Sequence, residues 1–277
     1  MKEGFSMKIT DLCTQESGVV SCDIARMDGL TAIARWEERT ILQEGLLEVS
    51  INDVLSMKLV CTPTDLSALV LGHLFSEGRI QGTEDIRSIY VCAEGKRARV
   101  HTERPLEPIK KPLEIRACDC GEDGVLGRAS LSCDTAVDPA DILPDFHWEP
   151  RWIHDLAKAF RAGAPLYEKT HGIHSCFLMK DGEILYLCED IGRHNALDKA
   201  IGRALIDGVD LSQCVLFSSG RIPDDMMEKV IRARVPVLAS NAVPTDKAVA
   251  LARKYHVTLI CSARPDGMDI FSGKGLW

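Results

Sequence analysis

The chain lacks any uncharged apolar run of about 18 residues, so no transmembrane helix is expected. Its opening, Met1-Lys2-Glu3-Gly4-Phe5, lacks the apolar stretch of a secretory signal. It also lacks cationic excess: 33 Lys and Arg stand against 41 Asp and Glu, a net charge of −8. That balance argues against nonspecific binding to nucleic acid or a membrane surface, yet leaves room for a local basic pocket. No internal repeat is evident. A soluble cytoplasmic protein is expected. With 45% hydrophobic and 27% charged residues, wholesale disorder is excluded. The 277 residues suit one large domain or two modest ones of roughly 100–200 residues each.

Cysteine is abundant, but it does not form a pattern. The 11 cysteines are odd in number and scattered singly. A long chain with no export signal is usually kept reduced, so a disulfide framework is not expected. Cys176, Cys188, Cys214 and Cys261 lie in apolar runs and read as small buried hydrophobes. Only Cys118 and Cys120 share a polar, glycine-containing setting. A structural metal clip built from Cys118, Cys120 and Cys133 lacks both a fourth ligand and the usual ligand spacing.

The first 30 residues carry weak periodicity and read as a loosely held arm. From Glu44 the pattern sharpens. Leu47, Val49 and Ile51 alternate, Asn52-Asp53 offers a turn, and Leu55, Met57 and Leu59 alternate again, a β-hairpin signal. Pro63-Thr64 then opens a helix with Leu66, Leu69, Val70 and Leu74 on one face and Gly78 as its stop. Ile86 to Val91 and Arg97 to Thr102 read as short strands. Prolines punctuate the stretch from Pro105 to Pro150, which also holds Gly121, Gly124 and Gly127, so a linker or long functional loop is expected there.

After Trp152 the chain becomes regular. Trp152 to Phe160 make a helical face ending at Gly163. Ile173 to Met179 and Glu183 to Leu187 flank the turn Asp181-Gly182. Next come a helix over Arg193 to Ile206, a strand over Val215 to Ser218 and a helix opened by Pro223, Asp224 and Asp225. A strand over Val235 to Ala239, a helix over Thr245 to Tyr255 and strands over Val257 to Cys261 and Met268 to Phe271 complete the order ββαβαβαββ. Alternating units need helical crossovers, which implies an α/β three-layer sandwich on a partly parallel sheet. The expected division is an arm over 1–30, a smaller α+β domain over 31–115, a mobile Cys-containing loop and linker over 116–150 and an α/β domain over 151–277.

In open α/β sheets ligands sit beyond the carboxyl ends of the strands. Those ends carry Glu189-Asp190-Ile191-Gly192-Arg193-His194-Asn195, then Ser218-Ser219-Gly220-Arg221, then Ser240-Asn241 with Pro244-Thr245, then Ser262-Ala263-Arg264-Pro265-Asp266-Gly267. Helix N-termini and guanidinium forks suit phosphate oxygens. A carboxylate such as Asp190 suits ribose hydroxyls or the donor edge of a guanine. The pattern points to a nucleotide-like anionic ligand. The plainer alternative makes Asp190 a helix cap, leaves Arg193 and Arg221 in water, and makes His194 a satisfied surface residue.

The stretch Glu189 to Gly202, E-D-I-G-R-H-N-A-L-D-K-A-I-G, closely resembles the signature of the formate dehydrogenase accessory protein family, the FdhD type of sulfur carrier. The resemblance runs from Glu44 to about Phe271. It includes Pro63-Thr64-Asp65-Leu66, Leu74-Phe75-Ser76-Glu77-Gly78, Ser219-Gly220-Arg221-Ile222, Pro244-Thr245 with Ala248 to Ala252, and Thr258-Leu259 followed by Arg264. It implies a C-terminal domain similar in fold to cytidine deaminases. It implies a protein that takes persulfide sulfur from a cysteine desulfurase and passes it to the bis-molybdopterin guanine dinucleotide molybdenum cofactor destined for formate dehydrogenase, with GDP as a partial mimic of that cofactor. A homodimer is expected on the same ground.

The nucleotide site so implied comprises Asp190, Gly192, Arg193, His194, Asn195, Ser219, Gly220, Arg221, Thr245, Ser262, Ala263, Arg264, Pro265, Asp266 and Gly267, with Arg264, Ser219 and Asp190 converging on the guanine nucleotide. Two departures stand out. Where the family usually shows Thr-Gly-Gly, this chain has Thr170-His171-Gly172, with His174 in its usual place. The family's loop usually reads C-G-x-C-G, whereas here Cys120-Gly121-Glu122-Asp123-Gly124 puts Asp123 at the second cysteine's position. Cys120 is therefore expected to carry the persulfide, with Cys118 as an auxiliary or alternative thiol. The acids Asp119, Glu122 and Asp123 outnumber Arg116 and Arg128 and should raise a thiol pKa, so activation is expected from a partner or from the pocket's arginines.

Two other functions compete. A zinc nucleobase deaminase needs H-x-E and P-C-x-x-C at successive helix starts, but these starts read Gly192-Arg193-His194-Asn195 and Ser219-Gly220-Arg221-Ile222-Pro223. A non-catalytic chaperone would hold the nucleotide and move no sulfur.

Overall fold

The computed structural model describes residues 7–15, 17–27, 29, 34–106, 113–115 (as backbone), 131 and 138–273. In chain order the strands and helices are β1 (Lys8–Asp11), β2 (Val19–Met27), β3 (Ala34–Leu42), β4 (Gly45–Ile51), β5 (Val54–Cys61), α1 (Leu66–Ser76), β6 (Ile86–Val91), β7 (Arg97–Thr102), β8 (Leu113–Ile115), α2 (Pro150–Ala162), α3 (Pro165–Thr170), β9 (His174–Lys180), β10 (Glu183–Asp190), α4 (Arg193–Ile206), β11 (Cys214–Ser218), α5 (Asp224–Arg232), β12 (Val237–Ser240), α6 (Asp246–Tyr255), β13 (Thr258–Arg264) and β14 (Gly267–Ser272).

Two mixed sheets of six strands result, one ordered β1-β6-β7-β4-β5-β8 and the other β10-β9-β11-β12-β13-β14. In the first, the expected hairpin forms between β4 and β5. Asn52 and Asp53 both take left-handed backbone, φ 48° and 66°, as a two-residue turn between twisted strands requires. Leu47 and Val49 with Met57 and Leu59 bury one face against Leu66, Leu69, Val70 and Leu74 of α1.

The second sheet has a parallel centre, β11-β12-β13, and antiparallel strands on both flanks. Period-2 alternation sorts its side chains. Cys176, Leu178, Leu216, Leu238 and Leu259 enter the layer shared with α4, α5 and α6. Phe177, Met179, Phe217, Ala239 and Ile260 face the opposite way, onto Trp152, Ile153 and Leu156 of α2. The result is a three-layer arrangement with helices on both faces of the sheet.

The two sheets are joined through α1 against α4. A Cβ placed on Gly72 would collide with the backbone carbonyl of Asp198, and one on Gly202 with that of Ala68. The helices thus touch backbone to backbone where each lacks a side chain. Beneath this crossing lies a buried polar cluster. Lys229 Nζ is 2.7 Å from Glu77 and 2.9 Å from Asp198. Asp198 also accepts from Ser76 Oγ at 2.7 Å and lies 2.9 Å from His73 Nδ1.

Several elements differ from expectation. Part of the first 30 residues is strand: β1 pairs in parallel with β6, and β2 pairs with β3 over nine residues each in a separate ribbon. The short helix α3 and the strand β8 fall where no element was expected. Both β10 and β13 run farther than the apolar pattern, to Asp190 and Arg264, because backbone pairing continues through polar residues. Among the described residues, no helix is long and apolar enough to cross a membrane.

Candidate functional site at the carboxyl edge of the second sheet

The carboxyl ends of β10, β11, β12 and β13 lie along one edge, together with the start of β9. Asp190 is opposite His174, Ser218 pairs with Ser240, and Ser219 N–H donates to Ser175 O at 2.9 Å. Ser262 N–H donates to Ala242 O at 2.8 Å. The edge is held by side chains turned onto the backbone. Ser218 Oγ accepts from Gly220 N–H, and Ser240 Oγ donates to Gly220 O at 2.7 Å. Gly220 lies against Arg193: a Cβ there would come within 2.9 Å of Arg193 Cβ and 3.0 Å of its Cδ.

Most of the expected nucleotide residues therefore share this edge, but several are engaged in holding the fold. Asp190 is wholly buried. Its carboxylate pairs with Lys199 Nζ at 2.7 Å and accepts from Thr62 N–H, Gly192 N–H and Asn195 Nδ2. It has no free edge for a ribose or a guanine, and that expectation is corrected. Asn195 is buried as well, its amide donating to Val60 O at 2.8 Å and to Asp190. Gly192 is the N-cap of α4 and Thr245 the N-cap of α6, the Thr245 hydroxyl accepting from Ala248 N–H. Ala263 is buried in the core against α2, so its side chain cannot line a ligand site. Ser262 holds left-handed backbone, φ 49°, at a bulge late in β13.

The remaining residues stay accessible. Arg221, Arg264 and Asp266 are exposed, and Arg193, His194, Ser219, Pro265 and Gly267 are partly exposed. Arg264 pairs with Gly267 at the tip of the β13–β14 hairpin, rather than lying in a loop beyond the strand. His194 Nε2 is 2.9 Å from Asp225 Oδ2, which joins the starts of α4 and α5. Cys118, Cys120, Cys133 and Asp123 lie outside the described residues.

Two residues had larger roles than their types announced. Lys199 is fully buried and donates to Thr62 O, Glu189 O and Thr64 Oγ1 besides Asp190. Burial pushes its pKa down, but the Asp190 carboxylate, with Cys61 and Asp65 adding to it, outweighs that and holds it above the ordinary lysine value. Its signal was its place among Ala196, Ala200 and Ile201 in a helix packed on two sides. His174 Nδ1 lies 3.2 Å from Ser219 Oγ, whose oxygen also accepts from Ser175 N–H at 2.9 Å. Burial first, then the charges of Arg193 and His194, hold the His174 imidazole below its ordinary pKa, against a weaker pull from Asp190. Burial disfavours the thiolate at five of the described cysteines. Burial pushes Cys61, Cys188, Cys214 and Cys261 up to about 12 and raises Cys176 as well.

The chain is an α/β protein whose second sheet carries arginines, a histidine and helix starts along its carboxyl edge, the position at which ligands sit in open α/β sheets as a class. The FdhD/NarQ family model matches residues 42–276, and the chain belongs to that family. It is 32% identical over 247 residues to the sulfur carrier protein FdhD of Streptomyces avermitilis, covering 85% of this chain and 88% of that one. It is 29% identical to the protein of the same name from Listeria monocytogenes, covering 85% and 90%. In fold it is similar to the crystal structure of a candidate formate dehydrogenase accessory protein from Desulfotalea psychrophila. That likeness has a TM-score of 0.72 at 23% identity, over 92% of this chain and 97% of the other.

Proposed function

We propose that this chain is a sulfur carrier that serves formate dehydrogenase, receiving persulfide sulfur from a cysteine desulfurase and passing it to the bis-molybdopterin guanine dinucleotide molybdenum cofactor. Support comes from its family and from relatives named sulfur carrier protein. One observation carries the nucleotide half of the reading: Arg193, His174, Ser219 and the Gly220 backbone meet at the carboxyl edge of the second sheet, where an anionic ligand meets cationic and polar groups. The guanine nucleotide portion of the cofactor is the cargo's handle there, and GDP is its partial mimic. Arg193, Arg221 and Arg264 supply the positive charge. In the C-terminal half, the strand order and the helices on both faces favour a cytidine-deaminase-like arrangement, and the protein works as a homodimer in the cytoplasm.

The chemistry belongs to Cys120. Its thiolate attacks the outer sulfur of the desulfurase persulfide, an S–S bond forms at Cys120, and the desulfurase cysteine leaves as a thiolate. Delivery as sulfide then takes up two electrons from a thiol reductant and returns Cys120 to the thiolate. Cys118 is the auxiliary thiol. Asp123 stands where the family places a second cysteine, so this chain works without a C-x-x-C pair.

Incubation with a cysteine desulfurase and free cysteine is expected to add one sulfur at Cys120, read by peptide mass spectrometry. A label confined to other cysteines rejects the assignment. The variant Cys120→Ala is expected to abolish formate dehydrogenase maturation, whereas a non-catalytic chaperone would leave it intact. By calorimetry, Arg264→Ala is expected to weaken GDP binding, and unchanged affinity counts against the rim as the nucleotide site.

A further inference from the structure

His174 is not needed to hold the edge together, because Ser219 is already fastened by Ser175 N–H. The hydroxyl of Ser219 has one proton, and the only acceptor near it among the described residues is His174 Nδ1, 3.2 Å away. The oxygen accepts from a backbone donor, and in the arrangement where the hydroxyl donates its own proton to the ring, Nδ1 is the acceptor. A ring nitrogen that accepts cannot carry a proton, which leaves the proton of a neutral imidazole on Nε2. The ring is partly exposed, and Nε2 has no partner among the described residues and is not an enclosed atom.

We propose that His174 is a ligand-contacting residue, a neutral hydrogen-bond donor that offers Nε2–H to a phosphate oxygen of the guanine nucleotide, with Ser219 and Ser175 fixing its tautomer. The inference rests on the rim being the nucleotide site. The charged groups that act on the ring agree with a neutral state: Arg193 and His194 disfavour a second positive charge beside them, burial does so more strongly, and Asp190 opposes both only weakly. Arg193 supplies charge to the ligand, and His174 supplies direction. A neutral donor adds a hydrogen bond without drawing in every anion that a further cation would attract, so the rim gains geometric selectivity for phosphate oxygen over simple ions.

The test is nitrogen-15 NMR of the full chain with labelled histidine, assigning His174 by the signal lost in His174→Gln. Expected are a single tautomer protonated at Nε2, titration below the ordinary imidazole value of 6.5 and a shift of Nε2 on addition of GDP. In Ser219→Ala the tautomer preference is expected to disappear. By calorimetry, His174→Ala is expected to weaken GDP about tenfold, while His174→Gln, which keeps an N–H donor near the same place, recovers most of that loss. An Nδ1-protonated or mixed tautomer in the wild type overturns the proposal. So does unchanged GDP affinity in His174→Ala. If Arg264→Ala still weakens GDP in that case, only the role of His174 falls. If neither substitution matters, the rim reading falls with it.

Discussion

Asp190 and Lys199 are 2.7 Å apart and neither is exposed, so removing one partner strands the other charge without water. Lys199→Met is expected to destabilise the protein by about 3–5 kcal/mol, read by urea denaturation. Asp190→Asn combined with Lys199→Met is expected to recover part of that loss, because no lone charge then remains buried. A double variant whose loss equals the sum of the two single losses would show that the pair is not coupled. Gly220 acts differently. Its missing Cβ is the space that Arg193 occupies, so Gly220→Ala is expected to displace that side chain and weaken GDP roughly tenfold, with some loss of melting temperature because Arg193 Cβ is fixed to α4. A normal affinity would mean that Arg193 does not touch the nucleotide.

Between elements, the crossing of α1 over α4 depends on Gly72 and Gly202. Either residue changed to Ala forces the helices apart, at a cost of about 1–3 kcal/mol or more, measurable as a fall in the unfolding midpoint. The cluster beneath responds to acid. Burial alone would raise the Asp198 pKa, but Lys229, His73 and Ser76 overcome it and hold the carboxyl well below its ordinary 3.8. A depressed folded-state pKa gives stability that is present above the unfolded value and lost as pH falls below it. The wild type is therefore expected to lose stability steeply below about pH 4. Asp198→Asn is expected to be weaker at pH 7 and flatter on the acid limb. An acid limb as steep as the wild type's would assign the loss to other carboxylates.

At the scale of the whole molecule, the end of β5 is tied to the end of β10 through Thr62, Asp190 and Lys199, and α1 to α4 through the glycines. Folding of either sheet leaves an apolar helix face bare without the other, so a single unfolding transition is expected. Coincident curves by tryptophan fluorescence, to which buried Trp152 in α2 contributes, and by far-ultraviolet dichroism check it. Two separated transitions would show that the sheets fold independently. The β2–β3 ribbon pairs with neither six-stranded sheet and exposes Trp36 to 78%. An isolated two-stranded ribbon is marginal in water, so its amides are expected to exchange hydrogen faster than those of either sheet.

Local patterns made much of this legible. The Asn52-Asp53 and Asp181-Gly182 turns, the β4–β5 alternation and the helix over Arg193 to Ile206 depend on near neighbours, and each formed where the residues pointed. The gathering of Ser219, Gly220, Arg193 and Arg264 at one edge followed from the strand order, since parallel strands bring their carboxyl ends together. Pairing partners distant along the chain were not legible. Nothing in Lys8–Asp11 announces that it adds to β6, and nothing in Val19–Met27 announces a ribbon with Ala34–Leu42.

The sequence by itself determined the element order of the second sheet, its polar carboxyl edge and the thiols Cys118 and Cys120, because turn chemistry, periodicity and residue type are local properties. Only the tertiary structure decided which polar residues of that edge remain free. Asp190 and Asn195 carry the same functional groups as a ligand site, yet they are buried and consumed by Lys199 and Val60. Ser219, in turn, pairs with His174. Burial and partner geometry assign these roles, and both arise from contacts between residues up to more than 100 positions apart in the chain, as between Thr62 and Asp190.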